Sequence, residues 1–530
     1  MADRFGPITR RRFVRSGGAS LAGAAVLGAA GVPGAGSGTA QAQGGGGRDI
    51  PNVLLIVVDG IRADFVSAYD DADDRADTPN LDELAKDSLR FDRAIPEAMP
   101  AYPSRRGLLS GMRSYPFRDW RPTKGLAQYP GWHPIWDHQP LLTETLRDGG
   151  VSALYISDNP LLDSDRFRGV ARKPGGIAPN ATQVQRLIAP AVPGGIEEGG
   201  DRPAKRVMDS GIRALRELKG KQPFFLGVDV FDRVEASDPT PVYARPEIIR
   251  RRTSGNAAER VDELAAASWR PFEEVDADEP SDRDVRDHYA AEVGEVDAEI
   301  GRLLDELESQ GLASNTVVYF VSPTTVALGE HGVFGMSSAA GHEDVYRAAL
   351  MIRDPEGRRK DDTSRFHAAP PDMATTVLAY MGITAPGKME GEDLNGLLDE
   401  DDVHPRPNFA IRIDEQIVVS DGRLVLISEG DGAPKRLYDT DPDQWEDDHS
   451  DEDDFAQRDE DKNVSREDAD AVQRLWQVAK TAAGGTLPQL GPEGPIRPRP
   501  EIEDDDESST DEGRLDRDDD LNFSGRSNAN

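Results

Sequence analysis

The 530-residue chain contains no cysteine. It can form no disulfide, offers no thiolate to a metal, and has no cysteine to carry a lipid anchor. Positive charge is also in short supply: 62 Lys and Arg stand against 98 Asp and Glu, leaving a formal net charge of -36. This balance argues against binding nucleic acid through its phosphates, an attraction that Lys and Arg must provide. No apolar run makes a convincing membrane-spanning helix. The acids are spread along the chain as well as crowded at its end, which suits a protein kept soluble by surface carboxylates in concentrated salt. An ordinary acidic protein with a disordered acidic tail is the other reading that composition leaves open. The length can hold one large domain or two, plus tails, and it leaves the oligomeric state unspecified.

The first residues read as an address. TRRRFVR at residues 9–15, followed by a small and apolar run at 20–31, resembles a twin-arginine export signal. Ala40-Gln41-Ala42 offers a small-residue cleavage site, so residues 1–42 are expected to be a signal peptide. The mature chain would then start near Gln43, outside the cytoplasm, in the extracellular space or at the cell surface. A retained N-terminal anchor is the alternative. Residues 43–49 close a Gly-rich linker.

Residues 52–58, NVLLIVV, lead into Asp59 and Gly60. A continuous aliphatic run has no polar face to offer water, so it predicts a central parallel strand buried on both sides. Asp59 then stands at the strand's carboxyl end, the edge of an open α/β sheet where ligands and metals are held. Thr78-Pro79 opens a predicted helix carrying Leu81, Leu84 and Ala85, with Thr78 as its N-cap. A second turn into a helix follows at residues 101–111. Buried strands are predicted at 151–156, 223–231 and 316–321, and a polar surface excursion at 232–284. Tyr289, Val293, Val296, Ile300, Leu303, Leu304 and Leu307 recur three or four apart, which makes one apolar stripe on a long helix. This alternation of strand and helix predicts a mostly parallel sheet between helices at residues 50–400. Short apolar segments broken by turn residues predict a small antiparallel sheet at 401–445. Residues 446–530 read as an acidic tail, largely without order.

Five stretches carry a resemblance. They are residues 52–64 (NVLLIVVDGIRAD), 78–91 (TPNLDELAKDSLRF), 103–111 (PSRRGLLSG), 315–335 (NTVVYFVSPTTVALGEHGVFG) and 437–442 (LYDTDP). In this order they resemble the sulfatase branch of the alkaline phosphatase superfamily, over roughly residues 50–445. The resemblance implies the α/β fold just described. It also implies hydrolysis of sulfuric or related esters at a divalent cation, often calcium, held by oxygen ligands. The implied nucleophile is a formylglycine made from the Cys or Ser that heads a C/S-x-P-S-R motif, at a helix N-terminus that favours an anion.

The same resemblance exposes departures. The motif here is Ala101-Tyr102-Pro103-Ser104-Arg105, and alanine has no heteroatom to oxidise. A second acid commonly follows the first at the end of the strand; here Asp59 is followed by Gly60. The later Ser-Asp-His-Gly or Ser-Asp-Asn-Gly pattern is Ser322-Pro323-Thr324-Thr325. The family's histidines become Asp229, Val234 and Leu161, and its lysines become Met112 and Met336.

Each surviving candidate has two roles to choose between. Asp59 is either a metal ligand or a carboxylate capping the next helix. Arg105 either orients an anionic ester or pairs with a sheet-end acid such as Asp59. Ser104 is a stand-in nucleophile or a structural hydroxyl. Glu330 and His331 either border a ligand or form a solvated loop pair. His342, Glu343 and Asp344 are a turn or a metal cluster. Two functions follow: an active metal-dependent ester hydrolase with a non-standard nucleophile, or a catalytically degenerate member acting as a binding or surface protein toward an anionic ester or glycan. The joint loss of nucleophile, carboxylate, histidines and lysines favours the second.

Overall fold

The computed structural model describes residues 51–96, 98–99, 101–115, 135–158, 182–186, 203–231, 282–328, 334–335, 346–399, 406, 408–413, 416–429, 435–439 and 463–485. The expected signal and linker, the expected surface excursion as far as residue 281, and Glu330, His331, Met336 and the 342–344 triplet lie outside them; residues 282–284, read as the end of that excursion, open a helix instead.

In chain order the strands are β1 (Asn52–Val58), β2 (Leu89–Phe91), β3 (Ala98–Met99), β4 (Ser152–Ser157), β5 (Thr182–Arg186), β6 (Phe224–Val230), β7 (Thr316–Val321), β8 (Ala327–Leu328), β9 (Phe334–Gly335), β10 (Leu350–Arg353), β11 (Asp362–Ser364), β12 (Phe409–Ile413), β13 (Gln416–Ser420), β14 (Leu424–Glu429) and β15 (Lys435–Asp439). The helices are α1 (Pro79–Lys86), α2 (Ala101–Ser110), α3 (Leu142–Asp148), α4 (Pro203–Leu218), α5 (Asp282–Ser309), α6 (Pro370–Tyr380) and α7 (Ala469–Ala482).

An eight-stranded sheet runs β11-β2-β10-β7-β1-β6-β4-β5. β1 is parallel to both its neighbours, with Val57 opposite Asp229 on β6 and Val321 on β7. β4 and β5 continue the parallel set, while β10 runs against β7 and β2. Successive strand residues face opposite sides. Leu54, Ile56 and Val58 therefore pack with α1, α4 and α5, while Val53, Leu55 and Val57 pack on the side of α2, α3 and α6. Both faces are covered, which explains why β1 is apolar throughout.

The stripe on α5 buries Tyr289, Val293, Val296, Ile300, Leu303 and Leu307, with Leu304 packed beside them. The same helix does one thing its periodicity did not announce. Asp297 accepts hydrogen bonds from the Asn80 and Leu81 backbone N–H groups at 3.1 and 2.7 Å. The orphan donors of α1 are thus capped from 216 residues away. Thr78, expected as the N-cap, makes no such bond; its hydroxyl accepts from the Ser67 N–H at 2.9 Å instead.

The smaller sheet runs β15-β14-β13-β12-β3. Its last four strands by sequence are the predicted antiparallel meander. β3, from the segment just before α2, adds itself in parallel to β12, with Ala98 opposite Arg412 and Met99 opposite Ile413. The small sheet therefore anchors the chain that enters the site helix. A buried contact ties it to the main domain: Arg406 donates to Asp372 at 2.8 Å, and the His367 Nδ1 lies 2.8 Å from the Arg406 carbonyl. Burial holds the His367 imidazole well below its usual range, at about 4, so it is neutral near pH 7.

Within the region read as a largely unordered tail, residues 463–485 fold. Asp468 accepts from the Ala471 N–H at 2.9 Å and starts α7. Ala471, Leu475, Ala479 and Ala483, four apart, bury one side of the helix against Ile417, Val419, Leu426 and Leu437 of the small sheet. Among the described residues no helix is long and apolar enough to cross a membrane.

Candidate functional site

The end of β1 is built by alternation. Asp59 shares the parity of Val53, Leu55 and Val57, and Asp229 shares that of Phe225, so both carboxylates face the side covered by α2. Tyr155 and Ser157 on β4 share that face. The Asp59 N–H donates to the Val230 carbonyl at 3.1 Å, which holds the ends of β1 and β6 in register. Gly60 then turns the chain with φ of 69°, a left-handed conformation that glycine adopts without strain. A second acid directly after Asp59 would have to take that conformation with a Cβ.

Into this face α2 sends Arg105, which is fully buried. Its Nε and Nη2 both donate to Asp229 Oδ1, at 3.0 and 2.9 Å, and Nη2 also donates to the Val230 carbonyl at 3.1 Å. Its Nη1 lies 2.9 Å from Asp59 Oδ1, close enough for an ion pair although not aligned as a hydrogen bond. The Phe231 ring centroid is 4.6 Å from the guanidinium carbon. Asp229 is held from its other side as well: Tyr155 and Ser157 donate to Oδ2 at 3.1 and 2.8 Å. Burial works against the charged form of Arg105, but the attraction of Asp229 and then Asp59 outweighs it and raises the guanidinium above its ordinary value. Burial and the neighbouring Asp229 push the Tyr155 hydroxyl well above its usual range. Tyr155 is therefore a neutral donor.

The loop after β7 closes the floor with hydroxyls. Thr324 accepts from the Gly60 N–H at 3.1 Å and donates to Asp59 Oδ1 in a short hydrogen bond. Ser322 accepts from the Ile61 N–H at 2.8 Å and donates to the Thr324 carbonyl at 2.7 Å. The Ser104 hydroxyl donates to the Pro323 carbonyl. Each of these groups is buried.

These contacts bear on the paired roles. Arg105 makes the ion pair with Asp59, and adds a stronger engagement with Asp229. The Ser104 hydroxyl donates to a backbone carbonyl, the contact that a structural role would make. Asp59 receives Thr324 and Arg105, and the N–H groups of Gly60 and Ile61 that follow it go to Thr324 and Ser322. Ala101 begins α2, but its side chain, like Glu330 and His331, lies outside the description. The importance of Asp229, Tyr155, Ser157 and Thr324 was missed. In the sequence Asp229 stands in the place of a family histidine, and its signal is that of a polar residue inside an otherwise apolar strand.

The expected divalent cation can be tested against these residues. A calcium-type site collects several oxygens, with carboxylates supplying the counter-charge. Here the two facing carboxylates already share a guanidinium, and the remaining oxygens are hydroxyls committed to the backbone or to those same carboxylates. Among the described residues no three His, Cys, Asp or Glu side chains converge as a metal cluster. The described residues do not fit a bound dication.

Comparison with known proteins bears on the same region. The chain is similar to human (Homo sapiens) iduronate 2-sulfatase, 26% identical over 326 residues, covering 55% of this chain and 58% of that protein. It is 26% identical over 399 residues to the multifunctional alkaline phosphatase superfamily protein PehA of Trinickia caryophylli, covering 66% of this chain and 77% of that one. The chain thus spans less than two thirds of the length of the iduronate 2-sulfatases it matches. In fold it resembles the phosphonate monoester hydrolase of Agrobacterium radiobacter, with a TM-score of 0.54 at 18% identity, covering 82% of this chain and 95% of that one. The family model for sulfatases matches residues 51–383, from the start of β1 to just past α6. The chain belongs to the sulfatase family.

Proposed function

We propose that this chain is an exported, catalytically degenerate sulfatase-family protein that acts as a binding or surface protein, toward an anionic ester or glycan. The observation that carries this reading is the buried Asp59–Arg105–Asp229 arrangement. Ester hydrolysis of the family's kind needs a nucleophile and a concentrated positive charge facing the departing anion. At the head of α2 stands an alanine, the Ser104 hydroxyl is committed to Pro323, and the Arg105 guanidinium is paired with two carboxylates.

Three further features support the reading. A named relative is a sulfatase of iduronate, and a protein keeping that ancestry without turnover would retain an interest in sulfated sugars. Residues 1–42 resemble an export signal, which supports such a contact outside the cytoplasm. The acid excess suits a surface kept hydrated in concentrated salt. The competing reading, a metal-dependent sulfuric or phosphoric ester hydrolase with a non-standard nucleophile, follows from family membership.

Turnover separates the two. The purified mature chain is incubated in molar salt with aryl sulfate and aryl phosphate esters, with calcium or manganese supplied. No hydrolysis above the protein-free rate is expected. Hydrolysis that disappears in Asp59→Asn, with the variant still folded, would establish the hydrolase reading instead.

A further inference from the structure

We infer that α7 is a clasp set by salt: it stays closed on the small sheet where charge is screened, and in dilute salt it opens ahead of the rest of the fold and loosens the chain leaving the site helix α2. What the helix covers comes first. Tyr115 is buried in the cluster that α7 forms with the small sheet, and its hydroxyl donates to the Ala479 carbonyl at 3.0 Å. Tyr115 follows shortly after Ser110, the last residue of α2. Between the two, Arg113 Nη2 donates to the Ala410 carbonyl on β12 at 3.2 Å. β3, just ahead of α2, pairs with that same strand. The small sheet thus holds the site helix at both ends, and α7 closes over the second hold.

The clasp is lightly made. On its buried face only Leu475 is large, beside Ala471, Ala479 and Ala483, with Val472, Trp476 and Val478 half-buried around them. By comparison, α5 buries six large side chains. Apolar stabilisation scales with the area removed from water, so α7 belongs among the elements that open first. The pair of Arg474 with Asp421 at 2.8 Å is exposed on the arginine side, and the Lys435 ammonium lies over the Trp476 ring at 4.4 Å. Surface contacts of this kind contribute modestly. The entry to the helix is pinned to β15, where the Val464 N–H donates to the Leu437 carbonyl at 2.9 Å. Opening therefore starts at the far end, which carries Ala479.

Charge pulls on this contact from both sides. Residues 440–462, ahead of the helix, hold 12 Asp and Glu against 2 Lys and Arg, and residues 486–530, beyond it, hold 13 against 5. Both stretches share their sign with a chain of net charge -36. Screening confines that repulsion to about 3 Å in molar salt and lets it reach about 10 Å at a tenth of that concentration. Salt weakens the Arg474 pair too, but one exposed pair is outnumbered by like charges. Dilution therefore favours opening.

Because the chain has no cysteine, a single introduced thiol reports on this helix without background. Ala479→Cys on α7 and Ala214→Cys on α4, both at fully buried positions, are made in the full mature chain and labelled with a thiol reagent in molar and in dilute sodium chloride. The thiol at 479 should react at least about tenfold faster in dilute salt while that at 214 stays protected, the signature of local rather than global opening. Adding Asp451→Asn, Glu452→Gln, Asp453→Asn and Asp454→Asn should shrink that ratio. Amide exchange in the native chain, which needs no substitution, should quicken at residues 111–115 over the same salt range. Equal labelling at 479 in both salts, joint exposure of the two thiols, a ratio indifferent to the four neutralised acids, or unchanged exchange at 111–115 would overturn the inference. Each result is read without any ligand and leaves the turnover question untouched.

Discussion

Replacing Asp229 by alanine is expected to destabilise the protein by about 3–5 kcal/mol, the cost of taking one partner from a buried charge pair. Asp229 accepts four hydrogen bonds, two from Arg105 and one each from Tyr155 and Ser157. Its loss leaves a buried guanidinium with one carboxylate and two buried hydroxyls without their acceptor. Asp59→Ala should cost less, about 2–3 kcal/mol, because it removes the Thr324 bond and the less well-aligned half of the arginine's engagement. The double variant Arg105→Met with Asp229→Leu should be more stable than Asp229→Ala alone, since no charge is then stranded. Urea unfolding midpoints at constant salt measure all three. An Asp229→Ala protein within about 0.5 kcal/mol of the native one, the range of ordinary surface changes, would show that the arrangement contributes little to the fold.

Gly227→Ala is expected to cost about 2–4 kcal/mol although it adds a single methyl group. Gly227 lies in the middle of β6, directly opposite Tyr155 on β4. A Cβ there would meet the Tyr155 ring at 2.4 and 2.8 Å and the Phe225 ring at 3.3 Å. Tyr155 cannot swing aside cheaply, because it is fully buried and its hydroxyl is spent on Asp229. A glycine inside a strand marks such a close approach. The same change combined with Tyr155→Leu should recover much of the loss by removing the ring. A Gly227→Ala variant as stable as the native chain would mean that the ring is not held by Asp229.

How much of this was legible depended on distance along the chain. β1 and the stripe of α5 announced themselves because their periodicity is local and all their apolar residues are needed. The pairing of Arg105 with Asp59 could be weighed in advance, because a buried arginine beside a sheet-end acid has few other partners. Its stronger engagement with Asp229 could not. Arg105 and Asp229 are 124 residues apart, Tyr155 and Asp229 are 74 apart, and Thr324 and Asp59 are 265 apart. The same holds for α1, whose cap arrives from α5, and for β3, a two-residue strand too short to show any period. α7 was hidden for a different reason: its four-residue spacing of small apolar side chains is embedded in a strongly acidic stretch whose composition argues for disorder.

Metal analysis of the native, full-length chain, purified in the presence of calcium and manganese and then desalted, bears most directly on the claim that a guanidinium rather than a metal neutralises Asp59 and Asp229. The account predicts no divalent ion in stoichiometric amount. One ion retained per chain, and lost in an Asp59→Asn variant that remains folded, would contradict it.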